Sequence, residues 1–298
     1  GIIFASFSII CILVLRDNVG FDYHAYRAIY YENRPTSEPL YKLVHMLTLD
    51  FQDHYVYFSV FALIATLPVI YVAVKRQSIW ILFVYITLPQ FYIESFGIIR
   101  QGCALGLCIY GYHLYDSKSK GWIFPIVIAI GFHYSAIVFL LALLLLNFSG
   151  VFFKKVIVFF LIIITFVHRE LLEIIIIYYP KLAFYDGSNT YGLKQVIFNG
   201  LLFVIAYRFL KSRDSKLIIF MGLIITIPLM GVDAVLLRLV SYFLIPFLFV
   251  NGQTYRRTDF SFSTVIILML IMGFFSILYL KSLNSIGPMV PYESIFGH

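Results

Sequence analysis

Long apolar runs, separated by short polar segments in which basic residues predominate, extend along the whole chain. A helix needs about 20 apolar residues to cross a bilayer, and such stretches recur throughout the sequence. They lack the two-residue alternation of lipid-facing barrel strands. Because a helix satisfies its own backbone hydrogen bonds in hydrocarbon, the pattern predicts an all-α, polytopic integral membrane protein. The predicted membrane helices, about ten in number, cover residues 2–15, 55–74, 79–93, 97–115, 121–147, 156–179, 196–210, 217–232, 234–250 and 262–281.

The composition indicates that lipid is the solvent for most of the surface. Hydrophobic residues make up 61% of the chain and charged residues 12%, whereas a soluble domain carries roughly 25% charged residues. The net charge of +7 does not indicate nucleic-acid binding. The basic residues lie at the ends of apolar runs and form no stripe among exposed aromatic side chains. We predict a single transmembrane domain over residues 1–298.

Motifs for metal or cofactor chemistry are absent from the sequence. Cys11, Cys103 and Cys108 are scattered within apolar segments, which is typical of small buried side chains. There is no zinc-ligand spacing, no glycine-rich phosphate loop and no nucleophile elbow, so we predict neither a metal nor a cofactor. Because the chain opens on Gly1 within an apolar run, we expect the natural N-terminus to lie upstream.

Basic residues are divided unequally between the two sides that a cytoplasmic N-terminus would define. The loops then assigned to the cytoplasm hold twelve basic and three acidic residues, and the rest of the chain holds ten basic and twelve acidic residues. This excess predicts a cytoplasmic location for those loops. The twelve basic residues are Lys75, Arg76, Lys118, Lys120, Lys154, Lys155, Arg208, Lys211, Arg213, Lys216, Arg256 and Arg257.

This orientation requires the segment 121–147 to enter and leave the membrane on the cytoplasmic side. A re-entrant pair of half-helices that breaks near Gly131–His133 meets the requirement. Non-helical backbone at that depth must be buried in protein or line a wet cavity. The alternative is one ordinary span, which would place Lys154 and Lys155 outside.

Two external segments are long enough to contribute to a site, residues 16–54 and 168–195. The first is too polar to span the membrane and too aromatic to be a disordered linker, so we predict an interfacial platform for substrate. Its tyrosines could stack on sugar rings, although for most of them we expect a place in the aromatic belt at the membrane surface. They are Tyr23, Tyr26, Tyr30, Tyr31 and Tyr41.

Ionisable residues at membrane depth are costly and are therefore functional candidates. Arg100, His133, Asp233 and Arg238 meet this description. Two arginines from different helices that meet at one cavity would bind a pyrophosphate, because guanidinium donors match phosphate oxygens. Other roles stay open: either arginine could extend to the lipid headgroups, His133 could be a core residue, and Asp233 could pair locally with Arg238.

Five short motifs occur in order between residues 16 and 242. They are Arg16-Asp-Asn-Val-Gly20-Phe-Asp22-Tyr23-His-Ala-Tyr26, Glu38-Pro39-Leu40-Tyr41, Ile99-Arg100-Gln101-Gly-Cys-Ala104, Phe132-His133-Tyr-Ser135-Ala136 and Arg238-Leu-Val-Ser-Tyr242. This order resembles the EpsG-like membrane proteins, which are grouped with the Wzy-type polymerases of bacterial O-antigen and exopolysaccharide.

The resemblance implies a GT-C-like, metal-independent glycosyltransferase in the bacterial inner membrane, with its active site toward the periplasm. Its substrates would be oligosaccharides linked to undecaprenyl pyrophosphate, with membrane lipid and a chain-length regulator protein as partners. Arg100 and Arg238 would stabilise the pyrophosphate, and Asp22, Glu38 or His133 would be the base. Further substrate contacts are expected from Arg16, Tyr23, Tyr26, Gln101, Ser135 and Tyr242.

Two other functions would use similar residues. A flippase for lipid-linked glycans could place arginine and histidine along a transport path, but the sequence has no repeated halves and its polar residues gather on one side. An O-antigen ligase would use the same donor with a different acceptor, and would be expected to carry a larger external segment than 168–195.

The charge distribution predicts the sidedness of two positions. Single cysteines introduced at Asp186 and at Lys118 in a cysteine-free background should react differently with a membrane-impermeant thiol reagent. The cysteine at 186 should be labelled from the periplasm, and the cysteine at 118 should be protected until the membrane is opened. Equal labelling of both positions would contradict the orientation.

Overall fold

The computed structural model describes residues 1–20, 22–34, 37–147, 193–229 and 239–250, together with residue 273. Every regular element in these ranges is helical. The chain forms two compact units, one that includes Gly1–Ile137 and one that covers Val138–Val250. The predicted span 156–179 lies outside the described residues, as do the span 262–281 apart from residue 273, nearly all of the external segment 168–195, and both Asp233 and Arg238.

We number the described helices in chain order. They are α1 (Ile2–Val14), α2 (Tyr23–Tyr31), α3 (Pro39–Leu49), α4 (His54–Lys75), α5 (Ile79–Thr87), α6 (Glu94–Gly97), α7 (Ile99–Asp116), α8 (Ile123–Phe132), α9 (Ile137–Asn147), α10 (Leu193–Phe209), α11 (Arg213–Leu229) and α12 (Val240–Leu244). Short 3-10 turns occur at Lys120–Trp122, Tyr134–Ala136 and Ile245–Phe249.

Helix α4 is the central element of the first unit. It has 22 residues, which corresponds to about 33 Å at 1.5 Å per residue. Among the described helices it alone is both long and apolar enough to cross a bilayer. The structure thus contains one helix with the length and composition of a membrane span, whereas the other predicted spans and the GT-C-like arrangement stay predictions.

Helices α4 and α7 pack side by side in the same direction. Near their first turns the Cys103 thiol donates to the Phe61 carbonyl at 3.3 Å. Farther along, a Cβ on Gly106 would collide with the carbonyl of Ala65, so this glycine permits the close approach of the two backbones. At the far end the Arg76 side chain contacts both His113 and Asp116 of α7. The two helices therefore stay paired over most of their length.

Helix α8 returns along α7 in the opposite direction. It begins beside the end of α7, where Ile126 fills the space over Gly111. It ends beside the start of α7, where the Phe132 ring meets the ring of Phe61 on α4. There Gly131 also lies against Leu40 of α3. The end of α8 is thereby brought to the same level as the beginning of α3 and α7.

The predicted break within residues 121–147 is confirmed and falls at His133. Its backbone is extended, with φ −155° and ψ 117°, between α8 and the turn Tyr134–Ala136. Its N–H still completes the last turn of α8 by donating to the Ala129 carbonyl at 2.9 Å. Re-entry of this segment on the cytoplasmic side stays a prediction.

Several predicted boundaries are wrong for identifiable reasons. Helix α5 ends at Thr87 and does not reach residue 93, because Pro89 has no N–H and holds Leu88 in an extended conformation. The external segment 16–54, for which no helix was predicted, contains α2 and α3. Helix α11 begins at Arg213, four residues before the predicted start at 217. The prediction from apolar runs leaves out this first turn because its residues are mostly charged.

The prediction of an aromatic belt for most of the tyrosines is also wrong. Four of the five are enclosed by protein, and only Tyr31 is exposed. The enclosed rings pack on one another and on the aromatic side chains of α4. They therefore form the core that holds α2 and α3 on the first unit.

The contact at Gly106 predicts a specific loss of stability. Gly106→Ala should lower the unfolding temperature in detergent, because overpacking typically costs about 1–3 kcal/mol. A matched control is Gly200→Ala in α10, where a Cβ would have no described atom within 4 Å. The control should be neutral or slightly stabilising, since alanine favours helix by up to about 1 kcal/mol over glycine. Equal unfolding temperatures for the two variants would contradict the proposed packing.

Candidate active site

Glu38 is the centre of a charged site in the first unit. Its Oε1 accepts from the Arg100 guanidinium at 2.7 Å and lies 3.4 Å from Nδ1 of His133. The three residues are far apart in sequence and come from three elements that meet at one level. Glu38 immediately precedes α3, Arg100 is the second residue of α7, and His133 occupies the break after α8.

Local sequence explains why each side chain is held in place. Pro39 at the first position of α3 favours a helix start and leaves Glu38 extended before it, with φ −69° and ψ 125°. The break at His133 is attached to the same helix start, because the Tyr134 hydroxyl donates to the Ser37 carbonyl at 2.9 Å. This hydrogen bond from the Tyr134 side chain therefore links the residue before Glu38 to the residue after His133.

Two tyrosines form a wall around Arg100. Its Nε donates to the Tyr26 hydroxyl at 3.2 Å, and its guanidinium lies 5.6 Å from the centre of the Tyr41 ring. The Tyr41 hydroxyl in turn shares a 2.5 Å hydrogen bond with Tyr57 of α4. Burial raises the pKa of Tyr41, so this residue stays a neutral phenol. The wall combines cation–π contact with hydrogen bonds, both of which favour a charged arginine.

Exposure differs among the three charged residues. The side chain of Glu38 is 6% exposed, that of His133 18% and that of Arg100 23%. An ionised carboxylate accepts hydrogen bonds only, so its contact with His133 favours the proton on Nδ1 and leaves Nε2 as the basic nitrogen. Glu38 thus orients its two partners, and these partners are the more accessible members of the site.

A second arginine occupies a different environment. Arg16 is 1% exposed, lies between the rings of Phe58 and Phe96, and donates to the Phe96 carbonyl at 2.6 Å. The sequence predicts substrate contacts for Arg16 and Tyr23, whereas the structure encloses both in protein. Tyr23 is fully buried and donates to Asp17 at 2.8 Å. Arg16 therefore holds the chain segment that leads into α7.

Gly20 supports the same segment. Its φ is +119°, a backbone angle that glycine adopts readily and other residues rarely adopt. A Cβ at this position would also collide with the carbonyl of Phe96. The sequence analysis predicts no role for Gly20 or for Tyr57. The place of Gly20 within the first motif could have indicated its importance, whereas Tyr57 lies in an apolar run with no distinguishing feature.

The remaining predicted residues lie in several different elements. Asp22 is half-buried at the start of α2, one turn before Tyr26. Gln101 is fully buried in α7, and Ser135 lies in the turn after His133. Tyr242 belongs to the second unit, where it is fully buried and its ring meets Phe139.

The predicted pair of arginines is represented here by one member, because Arg238 lies outside the described residues. Within the described part of the chain, no group of three or more histidine, cysteine, aspartate or glutamate side chains could hold a metal ion. The described side chains that meet at the site supply a guanidinium, a carboxylate and an imidazole.

The described part of the chain is thus all-helical, with one helix long and apolar enough to cross a membrane and a charged site gathered around a buried carboxylate. The model of the EpsG family matches residues 2–294, and the chain belongs to this family. Membership indicates a polysaccharide polymerase-like role and, at the family level, a glycosyltransferase-like enzyme. No curated protein and no solved structure shows a significant match to the chain.

The geometry predicts strong coupling between Glu38 and Arg100. A double-mutant cycle of Glu38→Gln and Arg100→Gln, measured by unfolding in detergent, should give a coupling energy of about 0.5–3 kcal/mol. The control is Arg76→Gln with Asp116→Asn, an ion pair of similar length at 2.6 Å whose side chains are 24% and 36% exposed. Its coupling should be below about 1 kcal/mol and should fall with added salt. Additive effects of the first two substitutions would contradict the site.

Proposed function

We propose that the chain is a polysaccharide polymerase of the bacterial inner membrane. It would transfer a glycan chain from undecaprenyl pyrophosphate to a second lipid-linked repeat unit at the periplasmic face. The observation that supports this proposal is the partly exposed guanidinium of Arg100, fixed by Glu38 and Tyr26 beside an imidazole in a member of the EpsG family.

In this reaction a hydroxyl oxygen of the acceptor sugar attacks the anomeric carbon of the donor glycan. A new glycosidic C–O bond forms, and the C–O bond to the pyrophosphate breaks. The electron pair of that bond leaves with undecaprenyl pyrophosphate, and the hydroxyl proton passes to a base. The lipid pyrophosphate is already an activated leaving group, so the chemical balance requires no nucleotide sugar and no further reactant.

Arg100 fits the role of stabilising the leaving group. Negative charge accumulates on the pyrophosphate oxygens as the bond breaks, and a guanidinium offers planar donors that match those oxygens. The wall of Tyr26 and Tyr41 keeps this cation in one place before the substrate arrives. A charge that is already oriented needs little reorganisation during the reaction, which is the condition for effective electrostatic catalysis.

His133 is the best placed of the three candidate bases. Protonation of Glu38 would disrupt its contacts with both Arg100 and His133, so this carboxylate is better suited to orientation. Asp22 lies one turn before Tyr26 and is half-buried. His133 has its Nδ1 toward Glu38, and a partly exposed imidazole that a carboxylate orients in this way suits the role of accepting the proton of the acceptor hydroxyl.

Deletion of the gene, followed by complementation with variants, tests the proposal on a polysaccharide gel. Deletion should abolish the ladder and retain the single repeat unit. Arg100→Ala should slow polymerisation by about 10²–10³-fold, the typical cost of removing one transition-state donor, and Arg100→Lys should be intermediate. His133→Gln should be nearly as inactive as His133→Ala, because glutamine hydrogen-bonds but cannot accept the proton.

Arg76→Ala at the other end of α7 is the matched control and should give a normal ladder at normal expression. Loss of all surface glycan on deletion would instead indicate a flippase or a ligase. A normal ladder with Arg100→Ala would remove this residue from the mechanism. Substantial activity of His133→Gln would show a hydrogen-bonding role and return the base to a carboxylate.

A further inference from the structure

An apolar groove runs along the seam between α4 and α7. Its volume is about 570 Å³, and it is open along one side. Val60, Ile64 and Tyr71 of α4, with Leu107 and Tyr110 of α7, contribute to a lining that is otherwise also apolar. From Val60 to Tyr71 the groove follows α4 for about 16 Å at 1.5 Å per residue. Its shape is that of a long, narrow apolar molecule.

The helical register connects this groove to the charged site. Leu107 follows Arg100 by seven residues, which is two turns, so the two side chains share one face of α7 about 10 Å apart along the axis. On α4 the same spacing relates Tyr57 to Ile64 and Ile64 to Tyr71. Since Tyr57 is hydrogen-bonded to the tyrosine beneath Arg100, both helices lead from the site directly into the groove.

The apolar groove and the charged site at its end together indicate what kind of molecule would bind there. At one end the Arg100 guanidinium, which is partly exposed beside Glu38, can bind an anionic group, and the lining of aliphatic and aromatic side chains fits a hydrocarbon tail attached to that group. The neighbouring helix α3 exposes the apolar side chains of Leu43, Met46 and Leu47, which favours its contact with lipid and the entry of such a tail from the bilayer. An amphiphile with an anionic head and a long tail fits both ends.

We infer that the groove binds the first isoprene units of the polyprenyl chain whose pyrophosphate is held at Arg100. This inference rests on the proposed function and assigns the lipid part of its substrate to α4 and α7. The tail leaves lipid and not water, so the groove contributes packing and orientation and gains little from the hydrophobic effect. Its contribution is therefore to align the pyrophosphate with the guanidinium.

The test compares two donors on the full-length protein in detergent. One carries the repeat unit on undecaprenyl pyrophosphate and the other on farnesyl pyrophosphate. The wild-type protein should prefer the longer lipid by about tenfold or more in kcat/KM, in keeping with an alignment effect. Ile64→Trp and Leu107→Trp, which fill the groove, should reduce that ratio to within about twofold of unity. The matched control is Val127→Trp at an exposed position of α8, which should retain the wild-type ratio.

A second measurement does not depend on turnover. Undecaprenyl phosphate with a photoreactive group in its first isoprene units should label peptides from α4 and α7 of the wild-type protein. Unlabelled undecaprenyl phosphate should compete, and phosphatidylglycerol should not. Equal competition by phosphatidylglycerol, labelling confined to other helices, or an unchanged donor ratio in both tryptophan variants would overturn the assignment. Specific labelling without polymerisation of either donor would instead reject the proposed reaction and retain the lipid site.

Discussion

The contact between Glu38 and Arg100 is the interaction on which the rest of the site depends. A guanidinium in a poorly hydrated helical bundle needs a counter-charge, and here the carboxylate arrives from a segment 62 residues away at 2.7 Å. The fold is arranged to keep the two groups together. Helix α7 packs closely against α4 because Gly106 has no side chain to separate them. Pro39 and the hydroxyl of Tyr134 fix the start of α3. Disturbance of either helix would separate the charges.

The first unit uses two arginines in opposite ways. Arg16 is enclosed between aromatic rings and binds a backbone carbonyl, so its charge serves to hold the turn before α7. Arg100 begins the helix that this turn introduces, and part of its side chain stays accessible. A buried cation thus supports the position of an accessible one. Gly20, whose backbone lies against the same carbonyl, completes the support.

Hydropathy alone predicts α1 and α4 to within a residue or so at each end, because both are uninterrupted apolar runs. The cost of ionisable residues at membrane depth directs attention to Arg100 and His133, which the structure brings together beside Glu38, and Gly131 before His133 indicates the break. The partner of Arg100 could not be chosen in the same way, since pairing across 62 residues is a property of the folded chain. Nor does composition distinguish a tyrosine in the core from one at the membrane surface, because both environments suit a ring with one polar end.

The position of Arg100 near the beginning of α7 has an electrostatic consequence beyond its own charge. The first turn of a helix carries the positive end of the peptide dipoles, equivalent to roughly half an elementary charge. Glu38 balances the charge of the guanidinium. The partial positive charge of the helix end therefore adds to the local potential and favours anions. Under the proposed function, a site of this kind attracts the spent lipid pyrophosphate as well as the donor. Departure of that lipid into the bilayer then becomes a step that the protein must accommodate in every cycle.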